Sequence, residues 1–148
     1  MNKCEIKFLK LAEQVAISSE HPSFKIGAVI TYKSVVLAFA ANEIKSHPLQ
    51  KRMNIYRFPE VDTCKNFLHA ELSALLKARK QKKDLSHAIL FVVRKDLNGN
   101  FAMARPCPAC LKMISLLGIK TIIYKETKEN YSVRFNIAFR NANCIKIY

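Results

Sequence analysis

Two short stretches hold the residue types that could do chemistry. The first, "RPCPACLKM" at residues 105–113, sets Cys107 and Cys110 three apart, with Pro106 and Pro108 flanking Cys107. Pro108 suits the first position of a helix, where the missing N–H has no intrahelical partner to lose. Three apart on such a helix, both sulfurs face one way, and the helix N-terminus favours them as thiolates. The spacing alone serves a redox pair, a structural zinc knuckle or half of a catalytic metal site. The second stretch, "FLHAELSALL", puts His69 and Glu71 at the head of another helix. Histidine is a zinc ligand, and a glutamate two residues on can stand beside a metal without binding it. His69, Cys107 and Cys110 together make three protein ligands and leave one tetrahedral position for water. Open sites of this kind are catalytic, whereas structural zinc usually takes four protein ligands.

The elements that must position these residues follow from periodicity. Residues 3–18 predict an amphipathic helix with Phe8, Leu11, Ala12 and Val15 on one face, stopped by Ser18, Ser19 and Pro22. Residues 25–31 predict a strand, and 35–41 its antiparallel neighbour across Tyr32, Lys33 and Ser34. Residues 42–66 show no clear periodicity and read as a long loop, which in a compact domain is often functional. Leu68, Leu72, Leu75 and Leu76 predict a helix over 67–83, and "KARKQKK" at its end reads as a solvated terminus that suits the negative pole of the dipole. "AILFVVR" at 88–94 is a buried strand, Asn98-Gly99 a hairpin turn, 107–117 a short helix and 119–124 a strand. Tyr131, Val133, Phe135, Ile137 and Phe139 alternate with polar residues, as in a half-buried strand. Strands alternating with helices predict an α/β fold. The expected form is one domain, 1–148, a three-layer α/β/α sandwich around a five-stranded mixed β-sheet. The site should lie where the two motif helices begin, near the strand ends.

Composition narrows the setting. In 148 residues half are apolar, enough for a core without staples. The longest apolar run, 35–41, is far too short to span a bilayer, and the charged N-terminus is not that of a signal peptide. These features exclude a membrane partner and predict a cytoplasmic protein. Five irregularly spaced cysteines argue against a disulfide framework and for reduced thiols. Cys4 and Cys144 read as small hydrophobes, His21 as a turn residue and His87 as the start of a strand. The formal net charge is +14, from 25 basic against 11 acidic residues. An AT-rich genome enriches lysine without function, but it enriches glutamate too, so the shortage of acids points to a positive field suited to phosphates or nucleic acid.

H-A-E followed by P-C-x-x-C, each opening a helix, is far more specific than either half and is the signature of zinc-dependent nucleobase deaminases. The chain resembles the cytidine/deoxycytidylate deaminase superfamily over roughly residues 24–124. "SFKIGAVI" resembles its first strand, "AFAAN" the end of its second, and "LLGIKTIIY" the strand after its second zinc helix. The loop "HPLQKR" and "FAMARPCPAC" are most similar to the deoxycytidylate deaminase-like branch. Ser73 and Ala41 stand where that branch and many relatives carry Asn and Gly. The resemblance implies one catalytic Zn2+ on His69, Cys107 and Cys110, and a zinc-activated water attacking C4 of cytosine, with Glu71 as proton shuttle. It also implies that Asn42 holds base or sugar, that Ala70 offers backbone contact to the base, and that the protein assembles into homo-oligomers.

Two substrates remain open at this stage. A pyrimidine nucleotide such as dCMP needs one or two cations near its phosphate, and His47, Lys51, Arg52, Arg57 and Arg105 are candidates. Single-stranded DNA or RNA would instead use the interleaved Tyr56, Arg57 and Phe58, with aromatics stacking bases at about 1–3 kcal/mol each. Alternatively, Tyr56 and Phe58 anchor the loop to the core. A non-enzymatic module with structural zinc is a third reading, opposed by Glu71, whose unligated carboxylate would serve no purpose there. Cys64 and His47 are too few to define a second, structural ion.

Overall fold

The computed structural model describes residues 2–57, 67–128, 130 and 133–136, the last four through their backbone. Helix α1 (Lys3–Ile17) opens with a reciprocal cap. Asn2 Oδ1 accepts the Glu5 N–H at 2.8 Å, and a Glu5 carboxylate oxygen accepts the Asn2 N–H at 3.1 Å. Strands β1 (Lys25–Tyr32) and β2 (Val35–Ala41) form the expected hairpin, turning through Lys33 and Ser34 at φ 47° and 61°. Helix α2 (Pro48–Met53) follows, then α3 (Ala70–Gln81), β3 (Ile89–Lys95), the two-residue β4 (Phe101–Ala102), α4 (Pro108–Leu116), β5 (Thr121–Tyr124) and β6 (Val133–Asn136).

The main strands run in the order β2-β1-β3-β5-β6, and β4 hangs on the end of β3 through the Asn98-Gly99 turn. Among the described residues only β3 and β5 are parallel neighbours, joined by the α4 crossover; the other adjacent pairs are antiparallel. The sheet is therefore mixed and five-stranded, with β4 as a short addition.

Helices cover both faces. On one, Phe8, Leu9, Ala12 and Val15 of α1 pack on Val29, Phe91, Val93 and Ile123. On the other, Leu72, Leu75 and Ala78 of α3 and Ile114 of α4 pack on Ala28, Ile30, Leu90, Val92 and Ile122. Alternate residues of β1, β3 and β5 thus serve opposite layers, which is why "AILFVV" reads as one apolar run. The basic residues of "KARKQKK" lie at and just beyond the C-terminal end of α3, about 12 Å of helix or more away from His69. Lys77, Arg79, Lys80 and Lys83 are exposed there, and Lys82 Nζ lies 4.2 Å from the Tyr32 ring centroid.

Several sequence expectations need correction. Of the expected loop 42–66, residues 58–66 lie outside the described residues, and 42–57 are not featureless. His47 caps α2, its Nδ1 accepting the Leu49 N–H at 3.0 Å; Pro48 is the first helical residue, and a 3-10 turn over Asn54–Tyr56 continues it. Proline at a helix start was the available signal, hidden because two turns are too short for periodicity. The helix expected from residue 67 begins at Ala70, because Phe67 bridges Ser46 and the Leu68 N–H bonds to the Lys45 carbonyl. Of the two cysteines read as small hydrophobes, Cys4 is exposed and Cys144 lies outside the described residues. His87 is exposed and precedes β3 instead of starting it.

Candidate active site

The N-termini of α3 and α4 meet at the C-terminal ends of β3 and β5, and their ligand residues converge. His69 Nδ1 lies 3.5 Å from Cys107 Sγ and 3.4 Å from Cys110 Sγ. All three donor atoms fall within 4.8 Å of one another, and they form the one such cluster among the described residues. Zinc held tetrahedrally at ordinary Zn–N and Zn–S lengths places its donors roughly 3.6 Å apart, so the arrangement fits that ion. His69 and Cys107 are the cap residues of their helices, yet neither side chain caps its helix. Both turn to the shared centre, where the helix N-termini favour negative sulfur.

The electrostatics fit an anionic ligand set. The Cys107 thiol is pulled down to about 4, first by its hydrogen bond with Cys110 and then, against burial, by His69. Burial and the Cys107 charge push Cys110 up. Burial works to lower His69, but the hydrogen bond and charge of Cys107 outweigh it and leave the imidazole raised. Glu71, in the first turn of α3, is 3 % exposed, and its Oε2 has no hydrogen-bond partner among the described residues. Burial raises the pKa of this carboxyl, opposed by His69 and reinforced by the Cys107 charge. A buried carboxylate oxygen left unpaired beside a ligand cluster is costly as structure and useful as chemistry.

A cavity of about 440 Å³ opens on this cluster, lined among others by His69, Glu71, Cys107, Asn42, Arg57 and Arg105. Asn42 is buried and its amide closes the ends of β1 and β2. Its Oδ1 accepts from Ser19 Oγ at 2.6 Å and from the Ile26 N–H at 2.8 Å, while Nδ2 donates to the Phe24 carbonyl at 3.1 Å. Arg105 is exposed, and its Nε donates to Tyr124 Oη at 3.3 Å. Ala70 is fully buried and does not line the cavity. Tyr56 also stays outside the lining. It is 36 % exposed, and Lys112 Nζ of α4 lies 5.3 Å from its ring centroid. Phe58 and Cys64 lie outside the described residues. His47 is occupied as a helix cap and joins no metal cluster among the described residues.

Three residues of this region escaped sequence reasoning. His21 does make a turn, accepting the Ser23 N–H at 3.1 Å, but it also stacks on Phe24 and lines the cavity. Arg94 lines the same cavity from β3. Gln50, fully buried, reaches from α2 to the metal cluster: its Oε1 accepts the His69 N–H at 3.0 Å and its Nε2 donates to Asn54 Oδ1 at 2.8 Å. The His69 side chain is turned inward, so Gln50 supplies the acceptor this backbone N–H needs. Gln50→Leu is expected to weaken zinc retention about tenfold or more, because supports of metal ligands typically carry that much affinity. Competition against a chromogenic chelator measures it, and retention equal to the parent protein would show that α2 does not hold His69.

The sequence matches the cytidine and deoxycytidylate deaminase zinc-binding region over residues 2–126. It is 33% identical over 78 residues to the deoxycytidylate deaminases of Enterobacteria phages T2 and T4. The match covers 53% of this chain and 36% and 35% of those proteins, about a third of their length. The crystal structure of apo dCMP deaminase from cyanophage S-TIM5 superposes with a TM-score of 0.51 at 25% identity, over 87% of this chain and 88% of that one. No helix among the described residues is long and apolar enough to cross a membrane. With the zinc-binding region matched across most of its length and the three donor residues drawn together at two helix starts, the chain belongs to the cytidine and deoxycytidylate deaminase family.

Proposed function

We propose that this protein is a zinc-dependent hydrolase that deaminates cytosine to uracil in a deoxycytidine nucleotide such as dCMP. The observation that carries the reading is the buried Glu71 carboxyl, its Oε2 without a hydrogen-bond partner among the described residues, beside the His69, Cys107 and Cys110 donors in a cavity sized for a small molecule. The nucleotide carrier is supported by the phage deoxycytidylate deaminases with which the chain shares a third of its residues over the matched stretch.

His69 Nδ1 and the two sulfurs would hold one zinc ion, which when bound supplies the Lewis acidity that brings the pKa of water towards neutrality. Glu71 relays both protons of the water that adds to C4, the first to the ring nitrogen and the second to the departing amine. The C4–N bond breaks, ammonia leaves, and the water oxygen becomes the uracil carbonyl. Burial raises the pKa of the Glu71 carboxyl, the direction that favours its holding a proton between two transfers. Asn42, held by three hydrogen bonds, offers a rigid polar edge for base or sugar.

The test is ammonia release by the zinc-loaded protein from dCMP, cytidine and a cytosine-containing single strand, at two salt concentrations. Release from dCMP with little effect of salt is expected. Release from the strand alone, falling steeply with salt, would overturn the nucleotide reading and bring the basic surface into the substrate site.

A further inference from the structure

Arg94 reaches the cavity through the pleat of β3. Leu90 and Val92 face α3 and α4, and Arg94 is the next residue of that row, one step beyond the packed core. Its guanidinium lies over Phe24, with Cζ 4.7 Å from the ring centroid, and Phe24 stacks on His21 at 4.2 Å. These rings hold the guanidinium in place without neutralising it. Its Nε is buried with no acceptor among the described residues. The ion pair those residues make, Lys95 with Glu13, lies elsewhere. The Glu71 carboxyl lies near enough for the Arg94 charge to act on it, but the two form no direct ion pair among the described residues. A guanidinium cannot shed its charge, so a partly buried one without a paired carboxylate favours an anionic ligand. Arg57 lines the same cavity and likewise has no ion-pair partner among the described residues.

We infer that Arg94, together with Arg57, binds the phosphate monoester of the substrate and sets the preference for nucleotide over nucleoside. This rests on the proposed deaminase reading and names the substrate feature that the site selects. Two guanidiniums match a monoester, which carries close to two negative charges at neutral pH. A phosphodiester strand brings one charge per phosphate, and its neighbouring nucleotides would have to lie outside a cavity of about 440 Å³.

The experiment compares wild type, Arg94→Gln and Arg94→Lys, each checked for zinc content and near-ultraviolet circular dichroism. Two quantities are read: the ratio of kcat/KM for dCMP over deoxycytidine, and the Kd of dUMP by calorimetry. In Arg94→Gln the ratio should fall about 10- to 100-fold, mainly through KM, and dUMP should bind more weakly by a similar factor, as for one lost charge-assisted hydrogen bond. Arg94→Lys, which keeps the charge without the planar fork, should fall between the two. Equal loss on both substrates, or an unchanged ratio and Kd, would overturn the inference. So would a strand without terminal phosphate that displaces dUMP in an Arg94-dependent way. Arg94-dependent dUMP binding by a protein that releases no ammonia would sink the deaminase reading and leave the phosphate site standing.

Discussion

Glu71→Gln should lower kcat for deamination by about 10²- to 10⁴-fold, the range that a positioned proton-transfer group contributes. Glutamine has the same shape and can still accept and donate hydrogen bonds, but it cannot take a proton from water and pass it on. The position is 3 % exposed, so an isosteric change leaves the packing of α3 undisturbed. Zinc content should stay at the parental level, because the donors are His69, Cys107 and Cys110 and not this carboxyl. The thermal midpoint should hold or rise, since the variant no longer buries an ionisable group with an unpaired oxygen. Loss of activity with retained zinc and stability would separate a chemical role from a structural one. A variant within about threefold of the parent kcat would remove Glu71 from the mechanism, because that falls far below any proton-transfer contribution.

Gly27→Ala should cost about 3 kcal/mol or more of stability, at or beyond the upper end for overpacked cores. A Cβ built on Gly27 would stand 2.0 Å from the Ala12 carbonyl oxygen and 2.5 Å from the Ala16 amide nitrogen. Both atoms are helix backbone and cannot swing aside like a flexible side chain. Ala12 and Ala16 are themselves fully buried, so α1 is seated on β1 as closely as small residues on both partners permit. Relief requires α1 to lift off the sheet, which exposes the Phe8, Val29 and Phe91 layer. It also shifts Gly27 against Ile26, whose N–H bonds to Asn42 at the cavity edge. Urea denaturation of the variant measures the cost. Stability within about 0.5 kcal/mol of wild type, the range of surface changes, would mean that α1 does not dock this tightly.

Local pattern alone established a great deal about this protein. Short apolar runs identified β1, β2 and β3, period 3.6 identified α1 and α3, and proline at a helix start identified α4, because those signals depend on neighbours in sequence. The three donor residues and Glu71 were legible for the same reason: H-A-E and P-C-x-x-C place reactive groups at helix starts, and that chemistry requires both types and spacing. The short helix α2 was lost because six residues cannot display a helical period.

Tertiary structure decided the rest. Gln50 reads as an ordinary surface amide until α2 folds beneath α3 and brings it to the His69 N–H. Arg94 reads as the polar end of a buried strand until the sheet sets its row against α3 and α4 at the cavity. Tyr56 and Arg57 are adjacent, yet only Arg57 lines the cavity. In each case the deciding quantity is a contact between residues distant in the chain, and no local periodicity encodes which of two exposed-looking side chains the packed layers will enclose.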